Sequence, residues 1–204
     1  MRRLPALAIV ATLAACGAEP APQARDAAAP SVASAPVATA PATSAVSPST
    51  GQAGDHQATF AGYGALKFGT LQADMERAWG GALKVVGKDA NPRCYFMTPV
   101  WVKTPAEFNF MVSEGRFARI GSDSANFAAP GGGKVGMRTA ELQRLYDNGL
   151  QARPHQYVAG GEYLSIDASG VAPTRLVFEA NAEGIVTEWR VGLLPEVDYI
   201  EGCS

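Results

Sequence analysis

A histidine, a serine and an aspartate in the C-terminal half are the side-chain types that a nucleophilic hydrolase combines. They are His155, Ser165 and Asp167. A common form of such enzymes presents the serine on a sharp, glycine-flanked turn between a strand and a helix. No turn of that kind surrounds Ser165, so the sequence argues against a catalytic triad.

A glycine-rich segment at residues 129–134 is a second motif that could have a chemical function, because glycine-rich loops bind phosphate groups. Ala128 stands where a phosphate-binding loop needs its first glycine, and Val135 stands where it needs serine or threonine. We interpret the segment as a flexible connection between two parts of the chain.

Asp147 and Glu179 have no spacing that supports a pair of catalytic acids, and solvation at the surface accounts for them. We therefore expect no enzymatic activity and no cofactor.

The N-terminus has the pattern of a secretory signal peptide over residues 1–15. Met1-Arg2-Arg3 is basic and is followed by an apolar run that ends in small residues. The run, from Leu4 to Ala15, is about 12 residues long, whereas a bilayer core needs roughly 20. The sequence therefore predicts export and not a membrane-spanning helix.

Leu13-Ala14-Ala15-Cys16 resembles the lipobox of bacterial lipoproteins. The resemblance implies cleavage before Cys16 and a diacylglyceryl group on its sulfur, so that the mature chain is held at a membrane by lipid. An ordinary signal peptide with an incidental Cys16 is the alternative. In lipoproteins of diderm bacteria, a residue other than aspartate after the cysteine, here Gly17, implies the outer membrane, and we expect a location facing the periplasm.

Two further cysteines, Cys94 and Cys203, form an even pair in a chain that the N-terminus marks as exported. Because the periplasm is oxidising, the sequence predicts a disulfide between them, with two buried free thiols as the alternative. The two histidines, His56 and His155, are far apart, and cysteines are few. We therefore expect no metal site.

The charge of the mature chain argues against two classes of partner. Removing Arg2 and Arg3 from 17 basic residues leaves 15 against 19 acidic ones, a net charge of −4. Nucleic-acid binding calls for a basic stripe, and binding to anionic lipid calls for a polybasic patch. We expect neither.

Residues 16–56 have the composition of a lipidated, disordered tether. Alanine, proline, serine and threonine dominate, and large apolar side chains are scarce. Such a segment cannot bury enough surface to offset the entropy of ordering it. A coil of about 40 residues reaches on the order of 35 Å, which would hold a domain away from the membrane.

The remaining chain contains an internal repeat. The segment 69–79 aligns with 136–146, and Phe110 and Gly115 align with Phe178 and Gly184 at offsets of 67 to 69. In each copy a helical pattern that ends at glycine precedes alternating strand patterns. We predict an α+β fold built as a tandem repeat, with repeat one at 57–128 and repeat two at 129–204. Each repeat is a helix followed by antiparallel β-strands, and each sheet is open on one face.

This layout resembles the fold of the beta-lactamase inhibitor protein, which implies two similar helix-plus-sheet units. The C-terminal Tyr199-Ile200-Glu201-Gly202-Cys203 is also similar to the ending of proteobacterial lipoproteins, some of which are labelled lectin. That label implies sugar binding, although the sequence contains no carboxylate-rich calcium loop to support it.

Strict alternation of side chains along the strands predicts which residues face away from the helices. Trp189, Phe178, Phe110, Leu164 and Phe96 are predicted to point inward. The residues predicted to line the open face are of types enriched at protein interfaces. They are Tyr95, Met97, Met111, Phe117, Arg119, Tyr163 and Arg190.

Together these patterns predict a lipid-anchored envelope module without catalytic activity. We expect it to bind a protein partner through the open sheet face. The alternative is binding of envelope carbohydrate, since sugar sites place aromatic side chains beside Asn, Asp or Arg in a cleft.

Overall fold

The structure is a computed structural model that describes residues 56–168 and 173–204. The predicted signal peptide, Cys16 and all but the last residue of the predicted tether lie outside this part of the chain. The described residues form two short α-helices, α1 (Gln72–Trp79) and α2 (Thr139–Leu145). No helix among them is long and apolar enough to cross a membrane.

The strands of the described residues form two antiparallel sheets, which confirms the α+β prediction at the level of fold class. The small sheet consists of β1 (Ala58–Thr59), β2 (Gly62–Tyr63) and β3 (Leu66–Lys67). The main sheet begins with β4 (Leu83–Val86), β5 (Cys94–Pro99), β6 (Asn109–Ser113) and β7 (Arg116–Ser122). It continues with β8 (Gln151–Pro154), β9 (Glu162–Asp167), β10 (Thr174–Ala180) and β11 (Val186–Leu193).

The main sheet has the strand order β4-β5-β6-β7-β11-β10-β9-β8. Each group of four consecutive strands is therefore a meander, and the two groups meet where β7 pairs antiparallel with β11. The β6–β7 hairpin turns at Glu114 and Gly115, whose φ angles are 48° and 73°. Two consecutive positive φ angles are typical of the tight hairpin turns that match the twist of the strands, and a turn at this glycine is what the sequence predicts.

Both helices pack on one surface of the main sheet, which we call the helix face. Met75 of α1 and Leu142 of α2 are fully buried there, in one apolar cluster with Phe110, Phe178 and Trp189. Burial of each of these side chains contributes about 1.5–3 kcal/mol, so this cluster is the main core of the described domain.

The opposite surface of the main sheet, which we call the far face, is covered rather than open. Residues 194–204, the C-terminal tail, leave β11, form a 3₁₀ turn at Glu196–Asp198 and cross this face. Val197 of the turn packs against Tyr163 and Val177 and is fully buried with them. The prediction that the sheet is open on one face is therefore wrong, because the last residues of the chain return over it.

Candidate ligand site beneath the C-terminal tail

The tail is tied to the start of β5 by a disulfide. The sulfur atoms of Cys94 and Cys203 lie 2.07 Å apart, in the pairing that the sequence predicts. Asn91 reinforces the junction, since its Nδ2 donates to the carbonyl of Cys203 at 3.1 Å and its Oδ1 accepts from the amide of Cys94 at 3.1 Å. The end of the chain is thus held covalently on the first half of the sheet.

Two buried arginines of the far face hold the middle of the tail. Arg190 Nε donates to the carbonyl of Val197 at 2.7 Å. Arg119 Nη1 donates to the carbonyls of Tyr199 at 2.8 Å and Glu196 at 3.4 Å. The bond from Arg190 gives the carbonyl of Val197 a donor. The bonds from Arg119 add to the backbone amides from which the carbonyls of Glu196 and Tyr199 already accept.

The two arginines differ in their charge partners. Arg190 pairs with Glu179, whose other oxygen lies 3.0 Å from His155 Nε2. No nitrogen of Arg119 lies within 4.0 Å of a carboxylate oxygen among the described residues. Burial lowers the pKa of Arg119 to about 10, and the charge of Arg190 acts in the same direction. Arg119 is therefore a buried cation at neutral pH without a carboxylate partner in this part of the chain.

Arg119 lines a pocket of about 260 Å³ between the far face and the tail, which we call the tail pocket. Its guanidinium carbon lies 5.7 Å from the centre of the Phe96 ring. Arg119 Nε and the buried Oδ1 of Asn109 have no hydrogen-bond partner among the described residues. Nine residues line the pocket: Phe96, Asn109, Arg119 and Glu188 from the sheet, Pro105 and Ala106 from the segment before β6, and Ile200, Glu201 and Gly202 from the tail.

Glu188 brings a carboxylate to the same pocket. Partial burial raises the pKa of Glu188, the charge of Glu179 raises it further, and Arg190 and Arg119 oppose the shift. Its Oε1 lies 3.8 Å from Arg190 Nη1. The tail pocket thus combines one aromatic ring, one guanidinium and one carboxylate, which together can donate and accept hydrogen bonds.

Gly202 closes one side of the tail pocket, and its conformation explains the glycine of the C-terminal motif. Its φ is +67°, in the left-handed region that favours glycine. A Cβ atom at this position would lie 2.9 Å from Cζ of Phe96. Any larger residue would therefore push the tail off the ring that floors the pocket.

A second feature lies on the outer side of the tail. Tyr157 is 58% exposed, and its hydroxyl donates to Glu201, which raises the pKa of Tyr157. Tyr199 is 41% exposed and lines an outer cleft of about 290 Å³ with Asn91 and Glu201. The residues of the C-terminal motif therefore contact both the tail pocket and this outer cleft.

The loop that carries Tyr157 is fixed by His155. Its Nδ1 accepts from the backbone amides of Tyr157 and Val158, both at 3.1 Å, and its Nε2 contacts Glu179. No hydrogen bond joins His155 to Ser165 in the described residues, and Asp167 pairs instead with Arg175. The structure does not bring the three residues of the conceivable triad together.

The seven residues predicted to line an exposed surface are all buried, with exposed fractions between 0 and 5%. Met111, Arg119, Tyr163 and Arg190 do lie on the far face, where the tail covers that side of the sheet. The predicted accessibility of all seven residues is wrong. The other three point the opposite way, toward the helices: Tyr95, Met97 and Phe117.

Two local features reversed those three side chains. Met97 pairs with Phe110, and Leu164 pairs with Phe178, so the repeats align at offset 67 in this strand and not at the predicted 68. Phe96 therefore takes the far-face position that the prediction gave to Tyr95 and Met97. In β7 the register shifts between Arg119 and Phe117, and this bulge turns Phe117 onto the helix face.

Sequence reasoning missed Phe96, Asn109, Glu188 and Glu201 as candidate ligand-contacting residues. The signal that would have found them was the C-terminal Tyr-x-Glu-Gly-Cys motif, since the predicted disulfide already attaches it to β5. A glycine and two polar side chains beside that attachment indicate a folded segment with its own contacts, and not a free end.

Comparison with protein-family models, with curated proteins and with solved structures found no match. Among the described residues, no group of three or more His, Cys, Asp or Glu side chains is placed to hold a metal ion. The geometry of the tail pocket therefore carries the functional argument.

Proposed function

We propose that this chain is a lipid-anchored binding module of the bacterial cell envelope, and that it binds carbohydrate in the tail pocket. The observation that carries the proposal is Arg119, a buried guanidinium without a carboxylate partner among the described residues. It stands over the ring of Phe96 and lines the same pocket as Glu188. We propose binding without a catalytic step.

The chemistry of a sugar ring suits these three groups. The C–H face of a pyranose packs on an aromatic ring, while each hydroxyl can both donate and accept hydrogen bonds. Arg119 would donate to such hydroxyls and Glu188 would accept from them. A pocket of about 260 Å³ admits one or two sugar units and excludes a protein surface.

Attachment to the envelope is the second part of the proposal. The signal peptide, the lipobox at Cys16 and the tether over residues 16–56 support lipidation, and the Cys94–Cys203 geometry suits an oxidising compartment. Replacement of Cys16 by serine should release the chain from membranes or leave it uncleaved. Retention of a cleaved Cys16→Ser chain in membranes after a high-salt wash would contradict the lipid anchor. We place the anchored chain at the outer membrane, facing the periplasm.

A protein partner is the second candidate, and the exposed aromatic residues favour it. Tyr157, Val158 and Tyr199 are 39 to 58% exposed, on the tail and on the loop that the tail contacts. Tyrosine is enriched at protein interfaces. If a protein is the partner, the outer surface of the tail would bind it, in place of the sheet face that the sequence predicted.

We also infer that the described domain arose by duplication, with repeats at 57–128 and 129–204, and that it resembles the beta-lactamase inhibitor protein fold in layout. In support, each helix precedes a four-stranded meander, and Phe110 and Phe178 occupy matching positions. At the β7–β11 junction Ile120 pairs with Val191, and Ser122 pairs with Trp189, a symmetric arrangement about the pair of Gly121 and Arg190.

The test of the proposed function is saccharide binding by the full chain, purified in a detergent without a sugar headgroup. An oligosaccharide array identifies a ligand, and calorimetry measures its affinity for wild type and for Arg119→Met. We expect the variant to lose at least roughly tenfold in affinity, or about 1.4 kcal/mol. Arg93→Met is the matched control, because Arg93 has an 80% exposed side chain away from the pocket and should leave binding unchanged.

Two results would contradict the carbohydrate proposal. One is the absence of binding to every oligosaccharide on the array. The other is equal affinity of wild type and Arg119→Met while circular dichroism shows both folded. If Arg119→Met fails to fold, Glu188→Ala provides the same test, since Glu188 has a 40% exposed side chain and its removal leaves no buried charge of its own.

A further inference from the structure

The tail pocket has a balanced set of charges. Arg119 is its cation and Glu188 is its carboxylate, whereas the carboxylate of Glu201 accepts from Tyr157 on the outer side of the tail. The positive charge of the neighbouring Arg190 is already matched by Glu179, to which it is bonded. With Glu188 ionised, the groups around a ligand therefore carry no net charge.

This balance decides between two classes of saccharide. An acidic sugar would satisfy Arg119 but would place its own carboxylate beside Glu188. The two like charges would repel each other, and the 40% exposed side chain of Glu188 is only partly screened by water. A neutral sugar meets no such repulsion, because its hydroxyls can accept from the guanidinium and donate to the carboxylates.

The absence of a direct ion pair between the two charged groups also suits a neutral ligand. Every nitrogen of Arg119 is more than 4.0 Å from the carboxylate oxygens of Glu188, although both residues line the same pocket. Two neighbouring hydroxyls of one sugar ring would join them, with one accepting from Arg119 and the other donating to Glu188. The ring between them would lie over Phe96.

We infer that the ligand of the tail pocket is a neutral saccharide, recognised through adjacent hydroxyls that bridge Arg119 and Glu188. The inference rests on the proposed function and adds the class of sugar to it. It separates neutral oligosaccharides from those that carry uronic or sialic acid. The net charge of −4 expected for the mature chain also favours a neutral ligand, since it repels anionic polysaccharide at long range.

The test compares neutral oligosaccharides with their uronic-acid and sialylated counterparts on one array, with calorimetry on the best neutral probe and on digalacturonate. We expect wild-type full chain to bind the neutral probe at least roughly tenfold more tightly than digalacturonate. Glu188→Gln should reduce that preference at least about threefold, because it removes the charge that repels the acid. Glu183→Gln is the control, since it removes the same charge from an exposed turn and should leave the preference unchanged.

Each outcome has one meaning. If digalacturonate or a sialylated probe binds as tightly as the neutral ones, the charge inference is wrong and the carbohydrate function stands. An unchanged preference in Glu188→Gln would equally overturn the role of Glu188. If no saccharide of either class binds, the proposed function itself fails, and the inference fails with it.

Discussion

The two faces of the main sheet are buried by different means. On the helix face, Met75 and Leu142 pack on Phe110, Phe178 and Trp189, and the cluster is apolar throughout. The far face instead carries two buried arginines, and the C-terminal tail covers them by accepting their hydrogen bonds. One face is covered by the apolar core, and the other is covered by the C-terminal tail, whose end is fixed by the disulfide.

This difference indicates where a ligand can be held. A close-packed apolar core leaves few voids larger than a water molecule and few free polar atoms. The C-terminal tail contacts the sheet largely through backbone carbonyls. This contact leaves a pocket beside the tail and leaves side-chain donors without a hydrogen-bond partner among the described residues, such as Arg119 Nε. The far face is therefore the side of the sheet on which we propose that the ligand binds.

The largest expected effect comes from removing the disulfide. Cys94 and Cys203 are separated by 109 positions, and the loop that they close is worth about 4–5 kcal/mol in the chain-entropy model. Cys94→Ser with Cys203→Ser should lower the free energy of unfolding by that order and expose apolar surface of the far face. Urea unfolding and binding of a hydrophobic dye measure the two effects. Wild type in dithiothreitol should show the same change, and a loss below about 1 kcal/mol would contradict the prediction.

A second prediction compares the loss of stability when one buried residue on each face is replaced. Phe178→Ala should cost about 3–5 kcal/mol through the cavity that it leaves. Arg190→Met should cost about 3 kcal/mol, because the partly buried Glu179 loses its guanidinium partner and the carbonyl of Val197 loses its donor. Each variant is then combined with the cysteine-to-serine pair in urea unfolding. We expect additivity for Phe178→Ala and coupling of more than about 0.5 kcal/mol for Arg190→Met, since Arg190 acts on the tail. Equal coupling for both would show that the faces are not independent.

A smaller effect is expected at Gly202. Gly202→Ala should cost about 1–2 kcal/mol, because the residue has a positive φ and its new methyl group meets Phe96. Gly80→Ala is the control, since Gly80 has a similar φ of +70° and open space around the added methyl. Thermal unfolding should show a larger loss for Gly202→Ala than for Gly80→Ala. Equal losses would mean that the contact with Phe96 does not matter.

The smallest effect concerns pH and Glu188. Its pKa is raised in the folded chain, chiefly by burial, so the folded state holds a proton that the unfolded state releases. The stability that Glu188 contributes is therefore complete below the ordinary glutamate pKa and is lost as pH rises through the folded value. Urea midpoints from about pH 4 to about pH 7 should fall less for Glu188→Gln than for wild type. The control is Glu183→Gln, and a profile for Glu188→Gln that parallels wild type would contradict the assignment.

Local pattern was enough to predict several elements of the described domain. Gly80 ends α1 in a left-handed conformation, and Gly115 has a positive φ in the hairpin turn, because glycine tolerates positive φ more readily than other residues do. Alternation placed Phe110, Phe178 and Trp189 in the core correctly. It failed for Phe117, where one extra residue in a bulge reverses the direction of every earlier side chain in the strand.

The amino-acid sequence by itself determined the α+β class, the turns at glycine and the pairing of Cys94 with Cys203, because these depend on backbone preference, on period and on the number of cysteines. Tertiary structure alone decided that the far face is closed and that Arg119 lines a pocket beneath the tail. The reason is that the tail contacts residues of β5 and β7 that lie 77 to 109 positions earlier in the chain. No periodicity within either segment encodes which surface a distant segment will cover.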